Sequence, residues 1–252
     1  MKTNIWAMYD ELIDGIDPEL EVRDFLIGSC WTKVSTEDNC GIALAVKDRA
    51  RSFEREGTII GAKLVDIARG AKSWNMAEAS LGMAAINCYY NDPARLDALG
   101  LLPAEGSREK DAFIEFAGDM VGKNVCVVGH FPNIERQLAD KCNLSVLERN
   151  QLRGDYPDSA CEFILPEQDI VFITGMTFTN KTVVRLLNII PASSRVSLVG
   201  PSVPASATLF KHNVDNLSCF SVRDEATLDE ALRRGTRDIF HAGSMLSINR
   251  PE

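Results

Sequence analysis

A chain of 252 residues, 45% apolar and 25% charged, can bury a real core in one or two domains. Its 27 basic and 36 acidic residues give a formal net charge of −9 with no concentrated basic stretch, which argues against a nucleic-acid partner. No apolar run approaches the ~20 residues that span a bilayer, so no membrane partner is expected.

The acidic pair Asp10-Glu11 follows the start too closely for an export signal. Seven cysteines are an odd number without CxxC spacing, and several lie inside apolar runs where a thiol packs as a small hydrophobe. The expectation is a cytoplasmic protein with reduced thiols.

In chain order, Ile5, Met8, Leu12 and Ile16 recur at helical spacing and predict a helix over 2–15, ended by Asp17-Pro18. Strands follow over 21–27, 30–35 and 41–46, separated by the turn-like Gly28-Ser29 and Glu37-Asp38-Asn39. Such a meander does not belong to a doubly wound sheet. With helices over 62–69 and 75–89 it reads as an α+β unit. Residues 91–109 carry Asp92-Pro93, Gly100, Pro103 and Gly106 and read as the linker, giving domains 1–106 and 107–252.

The second domain opens with a helix over 108–121. Strands at 124–128, 144–147, 170–173, 195–199 and 217–222 then alternate with helices at 133–142, 180–190, 204–211 and 225–234, with a long loop at 149–160. That alternation predicts a parallel sheet. The fold class is therefore two-domain α/β, an α+β unit followed by a parallel-sheet unit.

Ligands of open α/β sheets bind beyond the carboxyl ends of the strands, so the strand-to-helix turns are the candidate sites. Gly129-His130-Phe131-Pro132 stands where a dinucleotide-binding fold carries GxGxxG, and Glu148 lies 19 positions on, near the spacing of a ribose-binding acid. Only one of the three glycines is present, and Pro132 lacks an amide donor. An adenosyl ligand tolerates this better than a nicotinamide dinucleotide. His130 suits a ligand, a general base or a turn residue.

At 174–182, Thr174, Gly175 and Asn180 offer polar contacts at a sheet mouth, although Asn180 also suits an N-cap. Gly200, Pro201 and Ser202 follow the next strand, with Ser202 a sufficient cap by itself. In the first domain Asn75 and Glu78 fit a capping box. Asn87 falls on the opposite side of that helix from Glu78. The many small residues over 77–85 imply close packing, either in the core or at a subunit interface. No HxxxH, HExxH or CxxC pattern specifies a metal, so one would need ligands from several elements, such as His130, Glu148 and Asp155.

Taken together, GHFP, LERN, TGMTFTNKT and GPSVP, with SWNMAEASLGMAAIN and IGSCWTKVS, resemble a prokaryotic family of unknown activity described as a heavy-metal chelation domain preceded by an enolase N-terminal-like domain. The resemblance covers nearly the whole chain. It implies an enolase N-terminal-like α+β first domain, a Rossmann-like second domain and a cleft between them. It also implies a role in binding or handling a divalent or heavy-metal ion, or a metal-chelating compound. The positions it carries over are His130, Glu148, Thr174, Gly175, Asn180, Gly200, Pro201 and Ser202, with Asn75, Glu78 and Asn87. Enolase activity is not implied, because the barrel that performs it is absent.

The expected function is thus binding of a metal ion or small polar or anionic ligand in the interdomain cleft, with His130 and Glu148 as metal ligands. Whether the protein is an enzyme stays open. The alternative is a Rossmann-type transferase or oxidoreductase using an adenosyl or nicotinamide cofactor.

Overall fold

The computed structural model describes residues 4–48, 50–101 and 112–251. Helix α1 (Ala7–Asp14) buries Met8, Tyr9, Leu12 and Ile13. Strands β1 (Asp24–Ile27), β2 (Trp31–Ser35) and β3 (Cys40–Leu44) form the expected antiparallel meander, in the order β1-β2-β3. Helix α2 (Leu64–Ala68) runs into a 3₁₀ turn at Arg69–Lys72, and α3 (Met76–Tyr90) follows.

Most of α3 is buried, because β2 and β3 pack against it on one side and α2 and the 3₁₀ turn on another. A helix enclosed this way needs small residues. A Cβ on Gly82 would lie 2.0 Å from the Ala71 nitrogen, and one on Gly41 of β3 would lie 2.0 Å from that of Cys88. The small-residue face is therefore core.

Helix α4 (Pro93–Ala98), capped by Asp92, stands inside the stretch read as linker. The remainder of that linker, its 106/107 boundary and the first residues of the helix expected over 108–121 lie outside the described residues. Among the described residues that helix appears as α5 (Ala112–Glu115), and the chain then turns, with Gly122 at φ 71°.

The large sheet is built from β4 (Asn124–Val128), α6 (Ile134–Leu138), β5 (Asn143–Glu148), β6 (Tyr156–Pro157), α7 (Cys161–Ile164), β7 (Ile170–Thr174), α8 (Met176–Thr179), α9 (Val183–Ile189), β8 (Arg195–Val199), β9 (Asn216–Val222), α10 (Glu225–Arg234) and β10 (Gly243–Asn249). Its order is β10-β9-β8-β7-β4-β5-β6, parallel except for β10 against β9.

Two expectations need correction here, and one strand has no counterpart among the predicted elements. The helix expected over 180–190 starts at Val183, because Lys181 takes a left-handed φ of 63°. Residues 204–211 form only a 3₁₀ turn, Ala207–Lys211. Strand β10 lies beyond the last element that the sequence predicts, the helix at 225–234.

Alternate residues of the central strands face opposite ways. Val125, Val127, Val146, Ile170 and Phe172 pack with Phe113 and Phe116. Cys126, Val128, Leu147, Val171, Ile173 and Leu198 join Tyr9, Leu12, Ile67 and Met83 of the first half in one continuous core. Polar clamps reinforce the junction. Asn91 donates to the carbonyls of Val203 and Phe220, both at 3.0 Å, and accepts from the Ala205 amide at 2.7 Å. The result is a mixed α/β fold of one large, mostly parallel sheet and one small antiparallel sheet. No helix among the described residues is long and apolar enough to cross a membrane.

Candidate functional site

From β4 the chain crosses to β5 and β6 on one side, then returns to β7 on the other, so the β4/β7 boundary is the switch point of the sheet. Crevices at such points, beyond the carboxyl strand ends, are where open α/β sheets receive ligands. A cavity of about 120 Å³ lies there, lined by Val128 and Gly129, Leu147 to Asn150, Asp158, Thr174, Met176, Thr177, Asn180 and Thr182. A larger depression of about 530 Å³ lies along Glu19 to Arg23 and Thr36 to Asp38, away from any strand-end crevice of the large sheet. Position rather than size singles out the smaller one.

Gly129 forms its inner corner. Its φ is 98°, and a Cβ would lie 2.8 Å from Thr174 Cγ2, so only glycine lets the β4 and β7 ends close up. Glu148 ends β5, and its carboxylate is already engaged: Oε2 accepts from the His130 amide at 2.9 Å, and Oε1 from the amides of Arg149 and Asn150 at 2.7 and 2.9 Å. The acid at the ribose-binding spacing therefore fastens two strand-end turns together.

Thr174 accepts the Thr177 hydroxyl on its backbone carbonyl at 2.7 Å, closing the first turn of α8. Asn180 is not the N-cap of α9; it stands at the C-cap position of α8, its amide donating to the Met176 carbonyl. Its Oδ1 accepts from the Thr182 amide and hydroxyl, at 3.1 and 2.6 Å, and its side-chain N–H₂ has no partner among the described residues. Arg149 brings the cavity a cation, 3.7 Å from Asp158.

The structure thus gathers Gly129, Glu148, Thr174 and Asn180 around one cavity. Gly175 lies behind it, where a Cβ would come within 2.8 Å of Ser202 and Val203 backbone atoms. The remaining candidates serve the junction. Ser202 caps no helix; its Oγ accepts from the Leu44 amide at 2.9 Å, tying β3 to the end of β8. The carbonyl of Pro201 accepts from Asn87 Nδ2 at 3.4 Å, and Gly200 turns the chain at φ 111°.

Asn87 is fully buried and also donates to Ile42 O at 2.7 Å, while its Oδ1 has no partner among the described residues. Asn75 caps α3 as expected, accepting from the Glu78 amide at 2.9 Å. Glu78 does not complete a capping box: its carboxylate accepts from the amides of Glu54 and Arg55 and the hydroxyl of Ser73. None of these three lines the cavity.

His130 sits one residue beyond Gly129. Its Nδ1 lies 3.1 Å from both carboxylate oxygens of Asp155, and its Nε2 lies 3.6 Å from Glu135 Oε1. These three side chains could share an ion; Glu148, expected in that role with His130, is not among them. Asp155 is the acid that the sequence already grouped with His130, whereas Glu135 was legible only as a polar residue of a helix. A second acidic group, Asp24, Glu225 and Asp229, already surrounds the buried ammonium of Lys33 at 2.5–3.2 Å.

Comparison with known proteins agrees with this architecture. The chain matches the DUF364 family over residues 111–247 and the DUF4213 family over residues 9–90, both described as "Putative heavy-metal chelation". A crystal structure of a DUF364-family protein of unknown function from Desulfitobacterium hafniense is 35% identical, covering 97% of this chain and 98% of that one, with a TM-score of 0.88. Another, from Pyrococcus horikoshii, shares the fold at 20% identity, covering 97% and 99%, with a TM-score of 0.77. An uncharacterized protein of Methanocaldococcus jannaschii is 28% identical over 79% of this chain and 78% of its own length. The chain belongs to the DUF364 family, with a DUF4213 segment in its first half.

Proposed function

We propose that this protein handles heavy metal by binding a metal chelate, or a small polar or anionic ligand of that kind, in the crevice between the ends of β4, β5 and β7. The observation that carries this reading is the pair of donor groups there. The N–H₂ of Asn180 has no partner among the described residues, and the guanidinium of Arg149 stands at the rim. Both favour an oxygen-rich, negatively charged ligand. Gly129 lets such a ligand approach the backbone. Glu148 acts by shaping the crevice, since its oxygens hold three amides.

The alternative, a Rossmann-type enzyme with an adenosyl or nicotinamide cofactor, draws on the same switch-point position. The engagement of Glu148 disfavours it, because a ribose diol would have to displace backbone donors.

Thermal shift of the full chain separates the two. Citrate complexes of zinc or nickel are expected to raise Tm, and Asn180→Ala and Arg149→Ala to reduce the response severalfold. Stabilisation by S-adenosylmethionine or NAD, without any by the metal citrates, would establish the alternative instead.

A further inference from the structure

We infer that His130 and Glu135 form a two-ligand site for a borderline divalent ion of the zinc, nickel or cobalt class, with Asp155 as the group that orients the imidazole. The chelate reading above is needed only for what completes the ion's coordination.

The orientation comes first. The side chain of Asp155 is 1% exposed, and its Oδ2 accepts from the Leu152 amide at 2.7 Å, so its own loop fixes it. A carboxylate only accepts, so its two 3.1 Å contacts require a proton on Nδ1, which in the neutral imidazole leaves the Nε2 lone pair available. A histidine that ligates a metal through one nitrogen while giving the other N–H to a carboxylate is the usual arrangement of such sites. The backbone of His130 is fixed too, by its amide bond to Glu148.

The spacing comes second. Nε2 and Glu135 Oε1 are 3.6 Å apart, too far for a hydrogen bond. Two ligands of one tetrahedral ion, each at ~2.0–2.1 Å, are separated by about 3.3–3.4 Å. Glu135 lies in the first turn of a helix and is half exposed, so a small side-chain adjustment closes the difference.

Ligand chemistry then selects the ion. Imidazole with carboxylate suits zinc, nickel or cobalt, whereas thiophilic ions select thiolates. No cysteine belongs to the cluster, and burial pushes the thiols of Cys88 and Cys219 up to about 12. Two protein ligands leave open positions, and the donors of a chelator seated at Gly129 and Arg149 next door would fill them.

Isothermal titration of the untagged, metal-stripped full chain with zinc chloride tests the site. One zinc per chain is expected. Glu135→Gln, an exposed position that leaves the fold intact, should weaken binding at least tenfold, and His130→Ala should abolish it. Asp155→Asn should weaken binding by about 10–100-fold, as for other orienting partners. Long-range ¹⁵N spectra should show the Nδ1–H tautomer before zinc and a shift at Nε2 after it.

Asn180→Ala and Arg149→Ala should leave the affinity for free zinc unchanged. If they lower the response to zinc citrate while zinc binding is absent from the wild type, the ion site is wrong and the crevice reading stands. If zinc binds as described but no metal chelate stabilises the protein, the crevice reading fails alone. Undiminished zinc affinity in Glu135→Gln overturns the site outright.

Discussion

The phenol of Tyr9 donates to the main-chain carbonyl of Phe178 at 2.7 Å, joining the first helix to the short helix that lines the crevice. Tyr9 is 1% exposed, and burial pushes its pKa far above the ordinary tyrosine range, so it stays a donor at any working pH. Tyr9→Phe removes this bond and leaves the Phe178 carbonyl with the Lys181 amide at 3.2 Å, and should cost about 0.5–1.5 kcal/mol. Hydrogen exchange should locate the loosening at Met176 to Asn180; uniform protection across that segment would deny the linkage.

Lys33 is fully buried, with its ammonium 2.8 Å from Glu225 and 2.5 Å from Asp229. Burial alone pulls the lysine pKa down, but the hydrogen bonds to Asp229 and Glu225 outweigh it and hold the value above the ordinary one. For Glu225 burial raises the pKa, while Lys33 and Ser35 more than compensate and leave it lowered. A carboxyl lowered on folding stabilises above the unfolded pKa of about 4.3, and that contribution disappears as pH falls through the folded value. Glu225→Gln should therefore cost about 2 kcal/mol near neutrality, with the difference from wild type shrinking in acid. Urea midpoints across that range give the answer, and a constant difference would contradict it.

Gly82→Ala forces a Cβ to within 2.0 Å of a backbone nitrogen that cannot yield locally. We expect a loss of about 3 kcal/mol or more, since α3 must move away from the turn beneath it. Gly118→Ala is the control. Nothing among the described residues lies within 4 Å of its added Cβ, and its effect should stay within about 0.5 kcal/mol. Equal midpoints in a denaturant titration would show that the packing around α3 is looser than described.

Burial pulls the Lys181 pKa down to about 8, against the opposing pull of Glu54 and Glu78, and its ammonium lies 5.7 Å from the Trp74 ring centre. Between about 8 and the unfolded value near 10.4 the folded chain binds fewer protons than the unfolded one, so stability rises with pH across that window. Lys181→Met removes the titration. The wild type should gain on the variant from pH ~8 to ~10 in paired denaturation curves; parallel curves would place this ammonium in water.

Where the sequence repeated a pattern, it was readable. The runs at 124–128 and 195–199 became β4 and β8 without change, and the capping asparagine at 75 is in place. Positions whose role depends on a distant partner were not. Ser202 looks like a local cap, yet its partner is the amide of Leu44. Glu148 has ribose-acid spacing, but three nearby amides reach it first. Glu135 stands 3.6 Å from His130, but from the sequence it is one polar residue of a helix with nothing local to mark it. The strand at 243–249 pairs only with its sheet neighbour and lacks a strong alternating pattern, so nothing local announced it.

The continuous apolar interior running from Leu12 and Met83 to Val171 and Leu198 has one more implication. Severing the chain between its halves would lay bare the underside of the parallel sheet, an area of Val, Ile and Leu that water does not tolerate. Neither fragment would be a soluble stand-in for the intact molecule, and calorimetry of the whole chain should register one cooperative melt.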